Sequence, residues 1–352
     1  MRDCVFIVWD EASMSHKSLV EALDRTLRDL RNKNTLMGGC TVLFSGDFRQ
    51  ILPVVVRGTR ADEVNASLKR SYIWPDITKL KLKTNMRILS DQGNKTFADA
   101  LLRVGNGQSL TRNGKIDLSE LCFLMSNLMD LIENVYPDLP NISTKTPSWF
   151  QERTILSPIN DQVNKINDMI LLNFNAPTKV YYSIVTVLDA EEAIHYPTEF
   201  LNSLSPSGTP PHKLILKIGS PIILLRNLSP PKLCNGTRLQ IKSLKNCLLK
   251  CIILTGCRAG EMVLIPRIPM IPTNLPFQFK RLQFPVKLSF AMTINKAQGQ
   301  TLNVAGLDLT VQCFSHGQLY VALSRVTCKQ NLFVIAPEGE TLNVVYPEIF
   351  NT

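Results

Sequence analysis

Two adjacent carboxylates, Asp10 and Glu11, close the apolar run Val5-Phe6-Ile7-Val8-Trp9 near the start of the sequence. A short continuous apolar run predicts a strand buried on both faces, as in a parallel sheet. Ligands of such sheets sit beyond the carboxyl ends of the strands, where this acidic pair would lie. A carboxylate there can hold Mg²⁺ on a nucleotide phosphate, and its neighbour can polarise an attacking water. The bland alternative is an acidic pair that ends a strand and starts a turn, and this stretch alone does not choose between them.

The surrounding pattern supplies the elements that would position such a pair. Ser18-Leu19-Val20-Glu21 predicts a capping box opening a helix, with Leu19, Leu23, Leu27 and Leu30 on one face. Gly38-Gly39 would break it, and Thr41-Val42-Leu43-Phe44 predicts a second strand ending in Ser45-Gly46-Asp47-Phe48-Arg49-Gln50. Strand, polar tip, helix, strand and polar tip is the grammar of an α/β nucleotide site. Helical stretches are expected near residues 97–104 and 118–134, and the polar, proline-ended run 141–147 reads as a linker. Beyond it, Thr154-Ile155-Leu156 predicts a strand and Asn160 the cap of a helix bearing Val163, Ile166 and Ile170. From about 213 to 285 the chain is β-rich with a tight-turn signal at Asn235-Gly236, which predicts a small barrel-like insert. The α/β pattern returns at Leu288-Ser289-Phe290-Ala291 and runs to a helix around 318–325.

Composition narrows the class. The 352 residues have room for two domains, and 45% hydrophobic content fits a globular chain. A formal charge of +10 favours a polyanionic partner. Nine cysteines, without a C-x-x-C pair, read as free thiols with no disulfide partner, and four scattered histidines offer no metal-ligand spacing. No apolar run is long enough to span a bilayer, so a soluble intracellular protein with no membrane association is expected. Lys280, Arg281 and Lys287, beside the insert, are candidates for a basic groove.

Five segments, taken in order, resemble one family: Asp10-Glu11-Ala12-Ser13-Met14, Gly46-Asp47-Phe48-Arg49-Gln50-Ile51-Leu52-Pro53, Thr84-Asn85-Met86-Arg87, Ile294-Asn295-Lys296-Ala297-Gln298-Gly299-Gln300-Thr301 and Tyr320-Val321-Ala322-Leu323-Ser324-Arg325. Their order and spacing resemble the petite-integration-frequency (Pif-type) DNA helicases. Leu233-Cys234-Asn235-Gly236-Thr237-Arg238 and Cys313-Phe314-Ser315-His316-Gly317-Gln318 are similar to the helicases of Helitron transposons. The resemblance implies an α/β fold of two RecA-like P-loop NTPase cores. The first, incomplete, would span 1–148 from the Walker B strand onward, and the second 149–352 with the β-rich insert at about 213–285.

The resemblance also implies ATP and Mg²⁺ as cofactors, with Asp10 as metal ligand and Glu11 orienting the hydrolytic water. Gln50 would sense the γ-phosphate, since an amide both donates and accepts. Arg87 and Arg325 would grip it with permanently charged guanidinium groups. Gln298 and Gly299 would approach the nucleotide, and Asn295, Lys296 and Thr301 the DNA; Asn295 stands where many relatives carry histidine. Single-stranded DNA and single/double-strand junctions are the implied partners, for a monomer moving 5′ to 3′ in recombination, repair and telomere maintenance. A nuclear or mitochondrial address is expected on the same ground.

The sequence contains no G-x-x-x-x-G-K-[ST], the loop whose amides cradle phosphates. Gly93-Asn94-Lys95-Thr96 lacks the first glycine and reads as an ordinary polar loop. The expectation is therefore a helicase truncated at its N-terminus with little ATPase activity of its own. The alternatives are a non-enzymatic nucleic-acid-binding remnant of a transposon helicase and an inert structural protein.

Overall fold

The structure, a computed structural model, describes residues 1–82, 93–108, 114–188, 196–272 and 275–350. Chain packing separates two compact units: Met1–Met125 with Ala297–Thr301 and Leu307–Thr352, and Ser126–Lys296 with Leu302–Gly306. Among the described residues no helix is long and apolar enough to cross a membrane.

In the first unit, strands β1 (Phe6–Trp9) and β2 (Thr41–Phe44) pair in parallel, with Phe6 opposite Thr41 and Trp9 opposite Phe44. Helix α1 (Lys17–Arg31) connects them. Only one face of the pair is covered. Ile7, Trp9, Val42 and Phe44 pack against Val20, Leu27, Met37 and Cys40, while Phe6, Val8 and Leu43 are 53%, 59% and 46% exposed. The expectation of a strand buried on both faces is corrected accordingly. Helix α1 is also phased differently from the leucine pattern. Leu19 and Leu30 face outward, and the inner stripe is Val20, Asp24 and Leu27. Fully burying Val20 and Leu27 contributes about 1.5–3 kcal/mol each. Asp24 is tolerated inside because Met37 N (2.6 Å), Tyr72 Oη (2.7 Å) and Arg28 Nε (3.0 Å) all donate to it. The cap is His16, whose Nδ1 accepts from Ser18 N at 3.1 Å, so Ser18 lies inside the helix. The helix ends at Asn32 in the left-handed region, before the glycine pair.

The tips of the two strands are tied to the Gln318–Leu323 helix. His316 Nδ1 accepts from Tyr346 N at 2.8 Å, which leaves its Nε2–H to donate to Phe48 O at 2.8 Å. The two bonds fix a neutral ring, and burial pushes the His316 pKa below its ordinary value. Gly317 has φ +69°, and a Cβ there would collide with Arg49 O and lie 2.7 Å from Gln50 C. Tyr320 Oη donates to Asp47 Oδ2 at 3.1 Å, and Asp47 Oδ1 accepts from Arg49 N at 3.0 Å and Nη1 at 3.2 Å. The Gly93–Gly105 helix completes this corner, since Asn106 accepts from Arg49 Nε at 2.7 Å. Residues 93–96 therefore begin a helix and not a polar loop.

In the second unit, Arg153–Ser157 runs parallel to Ala291–Thr293, backed by Asn160–Asn173 with Val163, Ile166 and Ile170 buried. The amide of Asn167 pairs with both N and O of Ala291 (2.9 and 3.1 Å), locking helix to strand. That helix has no side-chain cap, because Asn160 lies inside it. The expected linker at 141–147 is largely a 3-10 turn, Leu139–Thr144, held by fully buried Ile142. The β-rich region forms an antiparallel sheet ordered Met262–Pro266, Leu248–Ile253, Arg238–Leu244, Pro221–Leu224, Val286–Leu288. Leu224, Leu239, Ile241, Leu249, Ile265 and Phe284 fill its core. Two fully buried arginines brace the β-rich region, with no carboxylate partner among the described residues. Arg238 donates to the carbonyls of Gln151, Arg153 and Ser289, and Arg281 to those of Pro210, Leu201 and Leu204. Arg281 is thus a structural brace and not part of an exposed basic groove.

Arg238→Met should lower stability by roughly 2–4 kcal/mol, because the change strands three inward-facing carbonyls; urea unfolding measures it. His316→Phe should destabilise most at pH 7.5. A group whose folded pKa is depressed contributes stability above its unfolded value, about 6.5, and loses it as pH falls. The melting-temperature gap between the two proteins should narrow steadily below pH 6.5, and a constant gap would contradict the neutral-ring assignment.

Candidate functional site

The acidic pair sits where β1 stops. Ala12 N donates to Ser45 O (2.8 Å) and Ser45 N to Trp9 O (3.0 Å), so the ends of β1 and β2 are stitched together. Gly46 permits this closeness, since a Cβ there would lie 2.8 Å from Ser13 Oγ and 2.9 Å from Ser13 N. Asp10 is exposed, and its Oδ1 accepts from Glu11 N (2.9 Å) and from Ser45 Oγ. Glu11 adopts φ 53°, ψ 37°, a left-handed conformation that costs a non-glycine residue of order 1–3 kcal/mol. The geometry turns the Glu11 carboxylate inward, where Oε2 is buried with no hydrogen-bond partner.

That carboxylate lines a polar cleft of about 220 Å³ with Gln50, Gly299, Tyr320, Ser324 and Arg325, all in the first unit. Gln50 Oε1 is likewise buried without a partner. Gly299 takes φ +75° on the opposite wall, where a Cβ would stand 3.9 Å from Glu11 Oε1. Arg325 is 7% exposed and donates to Val321 O (2.7 Å), Ala297 O (3.3 Å), Gln300 O (3.0 Å) and Ser324 Oγ (2.8 Å). Burial, and then Asp47, push the Tyr320 phenol up to about 12, so it stays a neutral donor at physiological pH. The cleft is smaller than the ~300–1,000 Å³ of a whole small-molecule site. Its dimensions suit a phosphate group with a water or ion beside it.

The structure thus gathers Glu11, Gln50, Gly299 and Arg325, with Asp10 next to Glu11 in sequence. Gln298 adjoins Gly299, and both its amide atoms are buried and unpartnered. Thr301 is exposed in the same unit and does not line the cleft. Asn295 and Lys296 belong to the second unit, where desolvation, and then Lys287, lower the Lys296 pKa. Arg87 lies outside the described residues. Sequence reasoning missed the lining residues Tyr320 and Ser324 and the supports Ser45 and Asp47. Each stands within a quoted motif or beside one, which was the available signal. Among the described residues no three His, Cys, Asp or Glu side chains cluster as a metal cage. Mg²⁺ needs no such cage, being held by one or two carboxylates plus phosphate oxygens and water. The single exposed Asp10 and the unsatisfied Glu11 and Gln50 oxygens fit that arrangement.

Comparisons with known proteins find similarity to one group of helicases. Residues 1–115 match the family model described as PIF1-like helicase, and residues 199–244 match DNA helicase Pif1, 2B domain. The chain is 28% identical over 332 residues to the ATP-dependent DNA helicase Pif1 of Campylobacter jejuni, covering 91% of this chain and 67% of that protein. It is 26% identical over 340 residues to human ATP-dependent DNA helicase PIF1, covering 95% and 46%. The chain therefore spans between about half and two thirds of these relatives' length. The fold resembles the crystal structure of Pif1 helicase from Candida albicans, with TM-score 0.67, 22% identity and coverage of 99% and 76%. It also resembles Pif1 helicase from Bacteroides in complex with ADP-AlF3 and ssDNA, with TM-score 0.64, 19% identity and coverage of 99% and 74%. Over its amino-terminal motifs and part of its β-rich region, the chain is similar to the Pif1-like helicases.

Proposed function

We propose that the cleft receives the terminal phosphate of ATP, and that the chain carries the hydrolysis-sensing half of a Pif-type DNA helicase. The observation that supports this most directly is that Glu11, Gln50 and Arg325 line one polar cleft, and that Glu11 Oε2 and Gln50 Oε1 are buried there without partners. Unsatisfied buried polar atoms cost about 1–3 kcal/mol each unless a ligand completes them. Glu11 accepts a proton from, and so aims, a water at the phosphate. Gln50 donates to phosphate and accepts from the same water. Arg325 exchanges the carbonyls of Ala297 and Gln300 for phosphate oxygens and neutralises developing charge. Asp10, already braced by Ser45 and the Glu11 amide, would hold Mg²⁺, which supplies charge neutralisation on the phosphates. Arg87 is assigned the second arginine role by resemblance. Single-stranded DNA and its junctions with duplex are the proposed partners, contacted by Asn295, Lys296 and Thr301. Cleft closure and opening would drive movement along the strand. Monomeric action, roles in recombination, repair and telomere maintenance, and a nuclear or mitochondrial address belong to the same proposal.

A second reading, non-enzymatic nucleic-acid binding, is favoured by one specific feature. The sequence offers no G-x-x-x-x-G-K-[ST] to cradle the inner phosphates.

Two measurements separate these readings. The 352-residue chain by itself should turn over ATP slowly or not at all. DNA-stimulated turnover that Asp10→Ala abolishes would show that the phosphate cradle is dispensable. Fluorescence anisotropy with single-stranded DNA should show log affinity falling linearly with log salt, and Lys296→Ala should reduce the slope by about 0.7. No binding at low salt would remove both DNA readings and leave an inert protein.

A further inference from the structure

The first unit holds two cysteines at the amino ends of its parallel strand pair, opposite the acidic tips. Cys4 precedes β1 and Cys40 precedes β2, and both pack on the covered face of the pair, in the cluster with Val20, Leu27 and Met37. Phe6 stands opposite Thr41, so Cys4 and Cys40 are neighbours across the ladder, offset by one position. Strand spacing and rise put their Cα atoms ~6 Å apart, inside the window for a disulfide. Cys40 Sγ reaches Cys4 O at 3.4 Å, and Arg31 Nη1 donates to the same carbonyl at 2.6 Å. Both thiols are free in the structure.

We infer that Cys4 and Cys40 form a reversible oxidation site, in which a peroxide converts the two thiols into a disulfide joining the roots of β1 and β2. The roles differ by exposure. Cys4 is partly exposed, and Cys40 is buried. Burial, and then the neighbouring Cys4, raise the Cys40 thiol, which shields it from direct attack by peroxide, while its seat against the Cys4 carbonyl places it to resolve an oxidised partner. The Cys4 thiolate attacks one peroxide oxygen, the O–O bond breaks, hydroxide leaves, and Cys4 becomes a sulfenic acid. Cys40 then gives up its proton and attacks the sulfenic sulfur. The S–S bond forms, the S–O bond breaks, and the departing hydroxide takes the proton as water. Two thiols lose two electrons and two protons, and the peroxide becomes two waters. Cys122, Cys251 and Cys313 are buried with thiols raised to about 12 and do not compete. Cys247 and Cys257 are exposed and serve as internal controls. The inference is independent of the nucleotide reading, since it concerns the opposite end of the strands.

The test treats the reduced full chain with stoichiometric hydrogen peroxide and maps it by non-reducing tryptic mass spectrometry. A linked pair of the peptides spanning 3–17 and 34–49, each with a single cysteine, is expected, with a higher melting temperature that dithiothreitol reverses. Cys40→Ser should leave Cys4 as a sulfenic acid trapped by dimedone, and Cys4→Ser should leave Cys40 reduced. Oxidation in urea, where the ladder is gone, should erase the preference and covers the case of a variant that fails to fold. Cys4 ending as sulfinic acid in the wild-type chain would overturn the inference. So would linkage of Cys4 to Cys247 or Cys257 as often as to Cys40, or Cys4 remaining reduced while those two oxidise.

Discussion

The imidazole of His316, held between Phe48 O and Tyr346 N, is the constraint on which the candidate site depends. One ring nitrogen joins the tip of β2 and the other joins the carboxyl-terminal segment, so the residue preceding the Gln318–Leu323 helix has a single position. Gly317 then lets that helix start directly against Arg49 and Gln50, where any side chain would collide. From that start, less than two turns deliver Tyr320 to Asp47 and, just past the helix end, Arg325 to the cleft. Arg325 and Gln50, far apart in sequence, face one another because a histidine and a glycine remove the alternatives.

The acidic side is built by the opposite device, local strain. Glu11 occupies a left-handed conformation and Asp10 caps its amide, so adjacent carboxylates point to different surroundings. Asp10 remains exposed and hydrogen-bonded, whereas Glu11 is turned inward with an unsatisfied oxygen. Two identical charges one residue apart thereby acquire different chemistry, one suited to a hydrated ion and the other to a water in a confined space. Such strain persists only where surrounding contacts over-determine it, and here the Ser45 and Gly46 contacts do so.

Strands β1 and β2, their polar tips and the chief cleft residues were legible in the sequence, since apolar runs ending in polar clusters are what an α/β sheet requires. The face of α1 was not. Leucine content suggested Leu19 and Leu30, but packing against residues 36–40 set the phase and brought in Asp24, whose burial depends on Arg28 one turn on and on Met37 and Tyr72 farther along the chain. Ser18 lost the cap to His16, because a ring nitrogen two residues earlier accepts from the Ser18 amide and starts the helix sooner. Arg281 looked like a surface cation and proved to be an interior brace, since charge alone does not reveal which carbonyls a guanidinium will meet. Tyr320 and Ser324 became visible only once the helix leading to Arg325 had a place, although both lie within the motif that identified it.

The central claim is that Glu11, Gln50 and Arg325 form one phosphate-responsive cleft. Crystallography of the chain with Mg²⁺ and an ADP–aluminium fluoride complex tests it most directly. The account predicts the fluoride in the cleft, a water between it and Glu11, and Arg325 moved from the carbonyls of Ala297 and Gln300 onto the ligand. A ligand bound elsewhere, or Arg325 still seated on those carbonyls with the ligand in place, would contradict it.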